Sequence, residues 1–291
     1  MKVMALHIPE RVAANCRKTP ERAAWLNRLL DNVQNMQRQW SLTIGAPFDG
    51  AEVSYAWVAP VVLPDGTPAV LKLAMPHMEG THELHALRFW NGNPTVQLLD
   101  ADEEHGAMLL ERCEPGTALR VLPESEQDLV IAAVLRRLWR SPSAPHPFRP
   151  LSAMTEYWSY ETLADVACWP DTALVHEGLH LFQELPRTAP VEVLLATDLH
   201  AGNILRSHRE PWLVIDPKPF IGDPAYDATQ HLFNCEARLR ADPPGTIARV
   251  ADLLEVDRER VRLWMFARLA AEPREDWTDH DSTALARAIA P

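Results

Sequence analysis

Glycine and cysteine are both scarce in this chain. Its 291 residues include 11 glycines and 4 cysteines, and no two cysteines form a C-x-x-C pair. The wide spacing of Cys16, Cys113, Cys168 and Cys235 argues against a zinc cluster and favours isolated reduced thiols.

Long apolar runs are absent as well. No stretch approaches the roughly 20 consecutive apolar residues that a membrane-spanning helix requires. The N-terminus, MKVMALHIPERV, has too short an apolar run for a signal peptide and no cleavage site. We therefore expect a cytoplasmic protein that does not cross a membrane.

Positive charge is in short supply. The chain carries 28 lysines and arginines against 40 aspartates and glutamates, which gives a formal net charge of −12. Nucleic acids and anionic membranes both require a basic face, so the composition argues against either as a partner. The same acidic balance favours a cationic small molecule.

What the chain has in quantity is apolar residues. They make up 47% of the sequence, which is enough for a sizeable core. The length exceeds that of a typical single domain, so we expect either one large domain or two lobes that share a cleft.

The sequence patterns divide the chain into three parts. Residues 1–40 form an N-terminal helical segment, in which apolar side chains at helical spacing predict a helix at 21–40. Residues 41–113 contain β-branched and aromatic runs, a hairpin turn at LPDGTP and one helix after the third strand, which predicts a small antiparallel sheet. Residues 114–291 are mainly helical. The predicted helices of this last part lie at 123–140, 153–167, 172–185, 224–239, 244–255, 257–271 and 281–289, with two short strands in NILRS and WLVID.

Lys72 is the first residue that suggests chemistry. It lies on the predicted strand AVLKLA among apolar neighbours, where an ammonium must reach water or find an anion. Glu83 is the candidate partner, because it shares a helix face with Leu87 and Trp90 and should point toward the sheet. The alternative places Lys72 on an exposed edge strand.

The second group is Asp198, Asn203 and Asp216. The first two lie in LLATDLHAGNIL, and Asp216 ends the apolar run WLVID. Three oxygen-bearing side chains on loops at strand ends can converge on a hard cation such as Mg²⁺ and leave one carboxylate to orient a hydroxyl group. Taken singly, each residue also fits a turn or a cap.

These motifs resemble a known family. TDLHAGNIL followed by REPWLVIDPKPFIGDPAYD, with PDGTPAVLKLA and MLLERCEPGTAL upstream, is similar to the aminoglycoside/hydroxyurea phosphotransferases, typified by streptomycin kinases. The similarity runs from about residue 40 to residue 270. It implies an α+β, protein-kinase-like bilobal fold, with a small antiparallel β-sheet N-lobe and a larger helical C-lobe. It also implies ATP and Mg²⁺ as cofactors and an aminoglycoside of the streptomycin type as acceptor. Hydroxyurea or another small metabolite is the alternative acceptor.

The resemblance implies a nucleotide site in the N-lobe. Lys72 would hold the α- and β-phosphates of ATP, and Glu83 would fix the position of Lys72. The segment that contains Leu110, Glu111 and Cys113 would form the hinge and offer backbone groups to adenine.

The resemblance also assigns the second group. Asp198 would accept or orient the proton of the attacking hydroxyl, and Asn203 and Asp216 would bind Mg²⁺. His200 would brace the loop. Catalysis of this type depends mainly on positioning and charge neutralisation.

The chain departs from the family pattern at three positions of the catalytic loop. The family usually has H-G-D where this chain has Ala196-Thr197-Asp198, and proline where it has Ala201. The phosphate-covering turn PFDGAEVSY contains only Gly50. A short, glycine-poor turn is also usual in the family that the chain resembles. The changes at Ala196, Thr197 and Ala201 motivate one further alternative, a catalytically inactive nucleotide-binding module.

A rival motif and two further aspartates complete the candidates. HEGLH matches the helical zinc motif H-E-x-x-H, with His176 and His180 on one face, but Gly178 weakens that helix and no third ligand stands out. A solvated helix face is the alternative to a zinc peptidase. Asp223 and Asp227 are interpreted as structural, with Asp223 as the N-cap before a proline at the first helical position.

Overall fold

The computed structural model describes residues 6–50, 55–273 and 280–291. The expected phosphate-covering turn therefore falls partly outside the described residues, because positions 51–54 are not among them. Within the described residues, no helix has the combination of length and apolar composition that crossing a membrane demands.

The chain forms two compact units. One comprises Met1–Thr117 and Leu205–Ile215, and the other comprises Ala118–Ile204 and Asp216–Pro291. The expected division at residue 113 left Leu205–Ile215 with the helical part, whereas the contacts of this segment group it with the first unit. The division into 1–40, 41–113 and 114–291 itself stays a prediction.

The first unit contains a five-stranded antiparallel sheet. Its spatial order is β1-β2-β3-β5-β4, and the helix α3 follows the third strand, as predicted. The turn between β2 and β3 is tight because Gly66 adopts a φ of +88°, which glycine tolerates without strain. The elements are β1 (Thr43–Ile44), β2 (Ala56–Val62), β3 (Pro68–Ala74), α3 (Glu83–Trp90), β4 (Leu98–Asp102) and β5 (Ala107–Glu111).

Two N-terminal helices cover one face of this sheet. The helices are α1 (Glu10–Cys16), which the sequence patterns did not predict, and α2 (Pro20–Gln39), which they did. Thr19 caps α2 by accepting a hydrogen bond from the main-chain N–H of Arg22. The apolar stripe of α2 is buried in one core with alternate residues of β2 and β3, so burial on this face fixes which side of β3 is left for Lys72. The buried residues of this stripe and strand are Trp25, Leu29, Val33, Met36, Ala69, Leu71 and Leu73.

A small second sheet explains the grouping of Leu205–Ile215. Its order is β6-β8-β9, formed by Pro115–Ala118, Ile204–Ser207 and Leu213–Val214. Arg209, in the turn between β8 and β9, donates hydrogen bonds to the Glu111 carboxylate and to the carbonyl oxygens of Gly92 and Thr95. These bonds connect the β8–β9 hairpin to the sheet unit.

The second unit is mainly helical. Its helices agree with the predicted ones, except that the predicted helix at 224–239 is interrupted at Cys235. A two-stranded antiparallel ribbon pairs β7 with β10. The elements are α4 (Glu124–Leu138), α5 (Leu151–Ala164), α6 (Thr172–Arg187), β7 (Val193–Leu195), β10 (Phe220–Gly222), α7 (Pro224–Asn234), α8 (Glu236–Ala241), α9 (Pro243–Leu254), α10 (Arg258–Ala271) and α11 (His280–Ala288).

Gly178 allows α6 and α10 to pack closely. A Cβ atom at this position would lie 2.8 Å from the Cβ of Ala270 and 2.9 Å from the Cβ of Ala271. The glycine of the HEGLH motif therefore serves helix packing, because any larger side chain would force the two helices apart.

Candidate active site

The first unit holds a buried ion pair between Lys72 and Glu83. The Lys72 ammonium donates to both carboxylate oxygens of Glu83, with Nζ–Oε1 and Nζ–Oε2 distances of 2.6 and 2.7 Å. Both residues are buried, so the alternative of an exposed edge-strand lysine is wrong. The pairing expected from the sequence is present, and the role of Lys72 toward phosphate stays a prediction.

The predicted hinge segment comprises the last two residues of β5, Leu110 and Glu111, and the residues after them up to Cys113. Leu110 is buried, and the Glu111 carboxylate accepts hydrogen bonds from Arg209 and from the main-chain N–H of Gln97. Burial, with the Glu111 charge nearby, raises the pKa of the Cys113 thiol to about 12, so this thiol is neutral at physiological pH. The adenine-binding role of the segment stays a prediction.

The second unit contains the loop of residues 196–203, which connects β7 to β8. Its flanks Leu195 and Ile204 are fully buried and anchor the loop. The Asn203 side-chain amide donates to the main-chain carbonyl of Asp198, with an Nδ2–O distance of 3.0 Å. The structure therefore brings together two of the three residues that the sequence placed in one site.

Asp227 holds the beginning of this loop. Its carboxylate accepts hydrogen bonds from the main-chain N–H groups of Ala196 and Thr197 and from the indole N–H of Trp139. Burial raises the pKa of Asp227 to about 6, although the three hydrogen bonds partly oppose that shift. Asp227 thus acts on the loop through main-chain contacts, in agreement with its structural interpretation.

Asp223 is structural too. Its carboxylate caps α7 at the main-chain N–H of Ala225 and also accepts from the indole of Trp264 and the guanidinium of Arg260. The predicted N-cap is therefore confirmed, and Pro224 occupies the first helical position.

Asp216 has a buried partner that the sequence interpretation missed. The Lys218 ammonium lies 2.5 Å from Oδ1 of Asp216, and Lys218 is buried. The Lys218 main chain also binds the loop of residues 196–203, because its N–H donates to the carbonyl of Ala196 and its carbonyl accepts from the Thr197 hydroxyl. The sequence did contain a signal for this pair, because Lys218 follows Asp216 by two residues and is flanked by prolines and apolar residues in IDPKPFIG.

Asp198 and Asp216 interact electrostatically. Asp198 is half-buried, and burial raises the pKa of its carboxyl group; the positive charge of Lys218 opposes this shift most strongly, followed by His200. The Asp216 charge raises the pKa of Asp198 further. The protonation of Asp198, the residue expected to accept the hydroxyl proton, therefore depends on the charge of Asp216, the residue expected to bind the metal.

Two residues have left-handed backbone conformations here, one in the loop beside Asp198 and one at the proposed metal ligand. Thr197 has a φ of +38° and Asp216 a φ of +53°, in a region that glycine adopts readily and other residues rarely do. Such strain costs on the order of 1–3 kcal/mol per residue and persists only where surrounding contacts impose it. For Thr197 those contacts are the bonds to Asp227 and Lys218.

The HEGLH motif does not form a zinc site in the described part of the chain. His176, Glu177 and His180 lie exposed on α6, in keeping with a solvated helix face. Among the described residues, the one cluster of three potential metal ligands is Asp128, His231 and Cys235, elsewhere in the second unit.

That cluster is an ion-pair network. The Asp128 carboxylate accepts from Arg238, Arg249 and His231, which hold the pKa of Asp128 below its usual range although burial opposes ionisation. Burial raises the pKa of Cys235 to about 11. A metal ion here would have to displace two arginines and take up a neutral thiol. All four cysteines of the chain are free, as predicted.

The geometry suits phosphoryl transfer better than hydrolysis by a bound zinc ion. The first unit offers a fixed ammonium, and the second offers a half-buried carboxylate on a braced loop beside an amide and a second carboxylate. An ammonium can hold phosphate oxygens, and the carboxylate and amide oxygens suit a hard divalent cation.

Comparisons with known proteins identify similar phosphotransferases. The model for the family described as aminoglycoside/hydroxyurea antibiotic resistance kinase matches residues 42–276. Similar relatives include a streptomycin 6-kinase from Streptomyces griseus, 36% identical over 279 residues that cover 91% of this chain and 89% of the relative. A hydroxyurea phosphotransferase from Kitasatospora aureofaciens is 35% identical over 244 residues, which cover 81% of this chain and 70% of that protein.

The fold is also similar to solved structures. A choline kinase from Streptococcus pneumoniae superposes with a TM-score of 0.62 at 12% identity, covering 91% of this chain and 98% of the other. At this identity the likeness concerns the fold alone. The α+β fold expected from the motifs is confirmed.

Proposed function

The chain belongs to the aminoglycoside/hydroxyurea antibiotic resistance kinase family, and from this premise we propose that it phosphorylates a hydroxyl group of a streptomycin-type aminoglycoside with ATP and so inactivates the antibiotic. The observation that carries the proposal is the similarity to a streptomycin 6-kinase over nine-tenths of both chains. Because ATP is a cytoplasmic substrate, we place the enzyme in the cytoplasm.

The nucleotide is assigned to the first unit's residues. Lys72 is the phosphate-binding cation, and the two hydrogen bonds from its ammonium to Glu83 hold it in place. The main chain between Leu110 and Cys113 is assigned to adenine. This division uses a fixed point charge for the phosphates and backbone groups for the base.

The donor set of the second unit fits Mg²⁺. Asn203 uses its Nδ2 to hold the carbonyl of Asp198, which leaves its amide oxygen as a ligand atom. The Asp216 side chain is 35% exposed, so its carboxylate is open to a ligand. Carboxylate and amide oxygens are the donors that Mg²⁺ prefers. When bound, the cation neutralises charge on the transferring phosphoryl group.

Asp198 is assigned to the acceptor. Its carboxylate orients the hydroxyl group and takes its proton while the acceptor oxygen bonds to the γ-phosphorus and the bond from that phosphorus to ADP breaks. The loop bonds from Asp227 and Asn203 hold Asp198 in position, which is the main requirement of this chemistry.

A cationic acceptor agrees with the charge of the chain. The formal net charge of −12 attracts amine- and guanidinium-bearing sugars and disfavours nucleic acids and anionic membranes. A streptomycin-type molecule carries such groups, whereas hydroxyurea is small and neutral.

The test is phosphoryl transfer from labelled ATP to streptomycin. We expect Asp198→Asn to lower kcat by about 10²–10⁴-fold, the usual contribution of a positioned general base, with ADP affinity in the presence of Mg²⁺ nearly unchanged. Asp216→Asn should instead abolish the dependence of ADP binding on Mg²⁺, measured by calorimetry. Glu126→Gln removes an exposed helical carboxylate and serves as the control.

The same assay separates the alternatives. Transfer to hydroxyurea and not to streptomycin would favour the function named for the Kitasatospora relative, which has nearly the same identity to this chain as the streptomycin 6-kinase but over a smaller share of both chains. Nucleotide binding without transfer to any hydroxylated acceptor would favour an inactive module. Full activity of Asp198→Asn would contradict the assigned role.

A further inference from the structure

Lys218 places a buried positive charge on the carboxylate assigned to the metal. Its side chain is 7% exposed, and its ammonium lies 2.5 Å from Oδ1 of Asp216. A buried ammonium is stable only beside an anion, so this contact is part of the folded site rather than a surface encounter. The proposed metal ligand therefore carries a cation of the protein's own.

The main chain holds Lys218 in this place. Its N–H donates to the Ala196 carbonyl at 3.0 Å, and its carbonyl accepts from the Thr197 hydroxyl at 2.6 Å. Asp216 itself has a left-handed φ of +53°. Because these contacts join the metal segment to the loop that precedes Asp198, the ammonium is directed by the same structure that positions the catalytic carboxylate.

The charges of the site are then partly balanced before any ligand arrives. Asp198 and Asp216 contribute two carboxylates, and Lys218 is the cation that acts most strongly on Asp198. The single positive charge of Lys218 cancels half of the negative charge of these two carboxylates. It also repels a divalent cation that binds Asp216 without nucleotide. A nucleotide brings the additional negative charge of its phosphates.

We propose that Lys218 makes divalent-cation binding at Asp216 conditional on nucleotide: it opposes a free cation and ceases to do so once a polyphosphate is present. Lys218 is on this account a positioning residue. The inference rests on the proposed function, because it takes Asp216 as a metal ligand.

The test measures binding of Mn²⁺, a spectroscopic probe for Mg²⁺ sites, by electron paramagnetic resonance of the free ion. Lys218→Met removes the charge and keeps an apolar stem, and Lys218→Arg is the control that keeps the charge. Without nucleotide, we expect Lys218→Met to bind Mn²⁺ at least about tenfold more tightly than the parent chain, since a unit charge a few ångströms from a divalent ion exceeds that effect even at high dielectric constant. Lys218→Arg should match the parent.

Nucleotide should remove the difference. With ADP present, Lys218→Met should bind Mn²⁺ no more tightly than the parent chain. Circular dichroism checks that the variant is folded, and Lys218→Gln replaces it if it is not. Tightening that persists in Lys218→Met/Asp216→Asn would place the ion elsewhere and overturn the inference.

Two outcomes distinguish this inference from the proposed function. If Lys218→Met binds free Mn²⁺ no better than the parent chain while the parent binds Mn²⁺ with ADP, the inference is wrong and the proposed function stands. If the parent chain binds no Mn²⁺ with ADP, or Asp216→Asn binds it equally well, the metal assignment is wrong and the inference falls with it.

Discussion

The two units each bury one lysine against one carboxylate, and the two pairs differ in how open the carboxylate is. The Lys72 and Lys218 side chains are nearly equally buried, with 8% and 7% of their surface exposed. The carboxylate of Glu83 is 4% exposed, whereas that of Asp216 is 35% exposed. We call Lys72–Glu83 the closed pair, because both side chains are buried. We call Asp216–Lys218 the open pair, because its carboxylate is accessible to a ligand.

The two pairs also differ in the secondary structure that positions them. Lys72 lies in the middle of β3, and Glu83 is the first residue of α3, so regular elements fix both ends. Asp216 and Lys218 belong to one short loop segment, which side-chain and main-chain bonds to residues 196 and 197 hold in place. Rigid elements suit a charge that must stay fixed, and a braced loop suits a carboxylate that must exchange partners.

The largest effect on stability is expected from opening the closed pair. Glu83→Gln leaves the Lys72 ammonium buried without its counter-charge, and breaking a buried pair in this way costs about 3–5 kcal/mol of unfolding free energy. Urea denaturation followed by circular dichroism measures the loss.

A double variant is the control for this effect. Lys72→Met/Glu83→Gln removes both charges, so it should recover most of the stability that the single change loses. If the single and double variants are equally unstable, packing around Glu83 matters more than its charge, and the closed pair is not held by electrostatics.

The closed pair is also the part of the site that the sequence predicted well. Alternation along AVLKLA places Lys72 opposite the apolar residues of its strand, and helical spacing turns Glu83 toward it, so two local periods were sufficient. The hairpin at Gly66 followed from turn chemistry in the same way. Local rules succeed where regular elements position the residues.

Local rules failed in the loops and in the shortest elements. Lys218 is held by contacts with Thr197 and Ala196, which lie 21 and 22 positions earlier in the chain. No local periodicity of the sequence encodes contacts at that separation. The strands Val193–Leu195 and Phe220–Gly222 have three residues each, too few to show alternation. The break at Cys235 lies between two segments that both favour helix, so periodicity did not locate it.

Asp227 differs from the carboxylates of the two pairs, because its hydrogen-bond donors are neutral N–H groups rather than a lysine ammonium. Its pKa is about 6 in the folded chain against an ordinary value of 3.8, because burial disfavours its charge. Between pH 4 and 6 the folded state binds more protons than the unfolded state at this residue, so its contribution to stability falls as pH rises. A shift of about two units corresponds to about 3 kcal/mol.

The measurement is the difference in unfolding free energy between the parent chain and Asp227→Asn across this pH range. Most other carboxylates drive stability upward with pH, and the difference cancels them. We expect the parent to lose about 3 kcal/mol relative to the variant from pH 4 to pH 7, at about 1.4 kcal/mol per pKa unit. A flat difference would show that Asp227 is ionised without penalty.

The smallest effects concern Thr197, a residue of the 196–203 loop whose hydroxyl binds the main chain of the Asp216–Lys218 pair. The family usually has glycine here, and this chain has a β-branched residue at a φ of +38°. Thr197→Gly relieves backbone strain but loses the hydroxyl bond to the Lys218 carbonyl, so the two effects oppose each other and the net change should stay within about 1 kcal/mol. Thr197→Val keeps the branched Cβ and the strain but removes the donor, and it should cost about 1–3 kcal/mol, the usual penalty for a buried acceptor left without its partner. Thermal and urea unfolding of both variants measure the order. If Thr197→Val is as stable as the parent chain, the hydroxyl bond does not stabilise the loop, and the bracing of the Asp216–Lys218 pair must come from Asp227 and the main chain of Lys218.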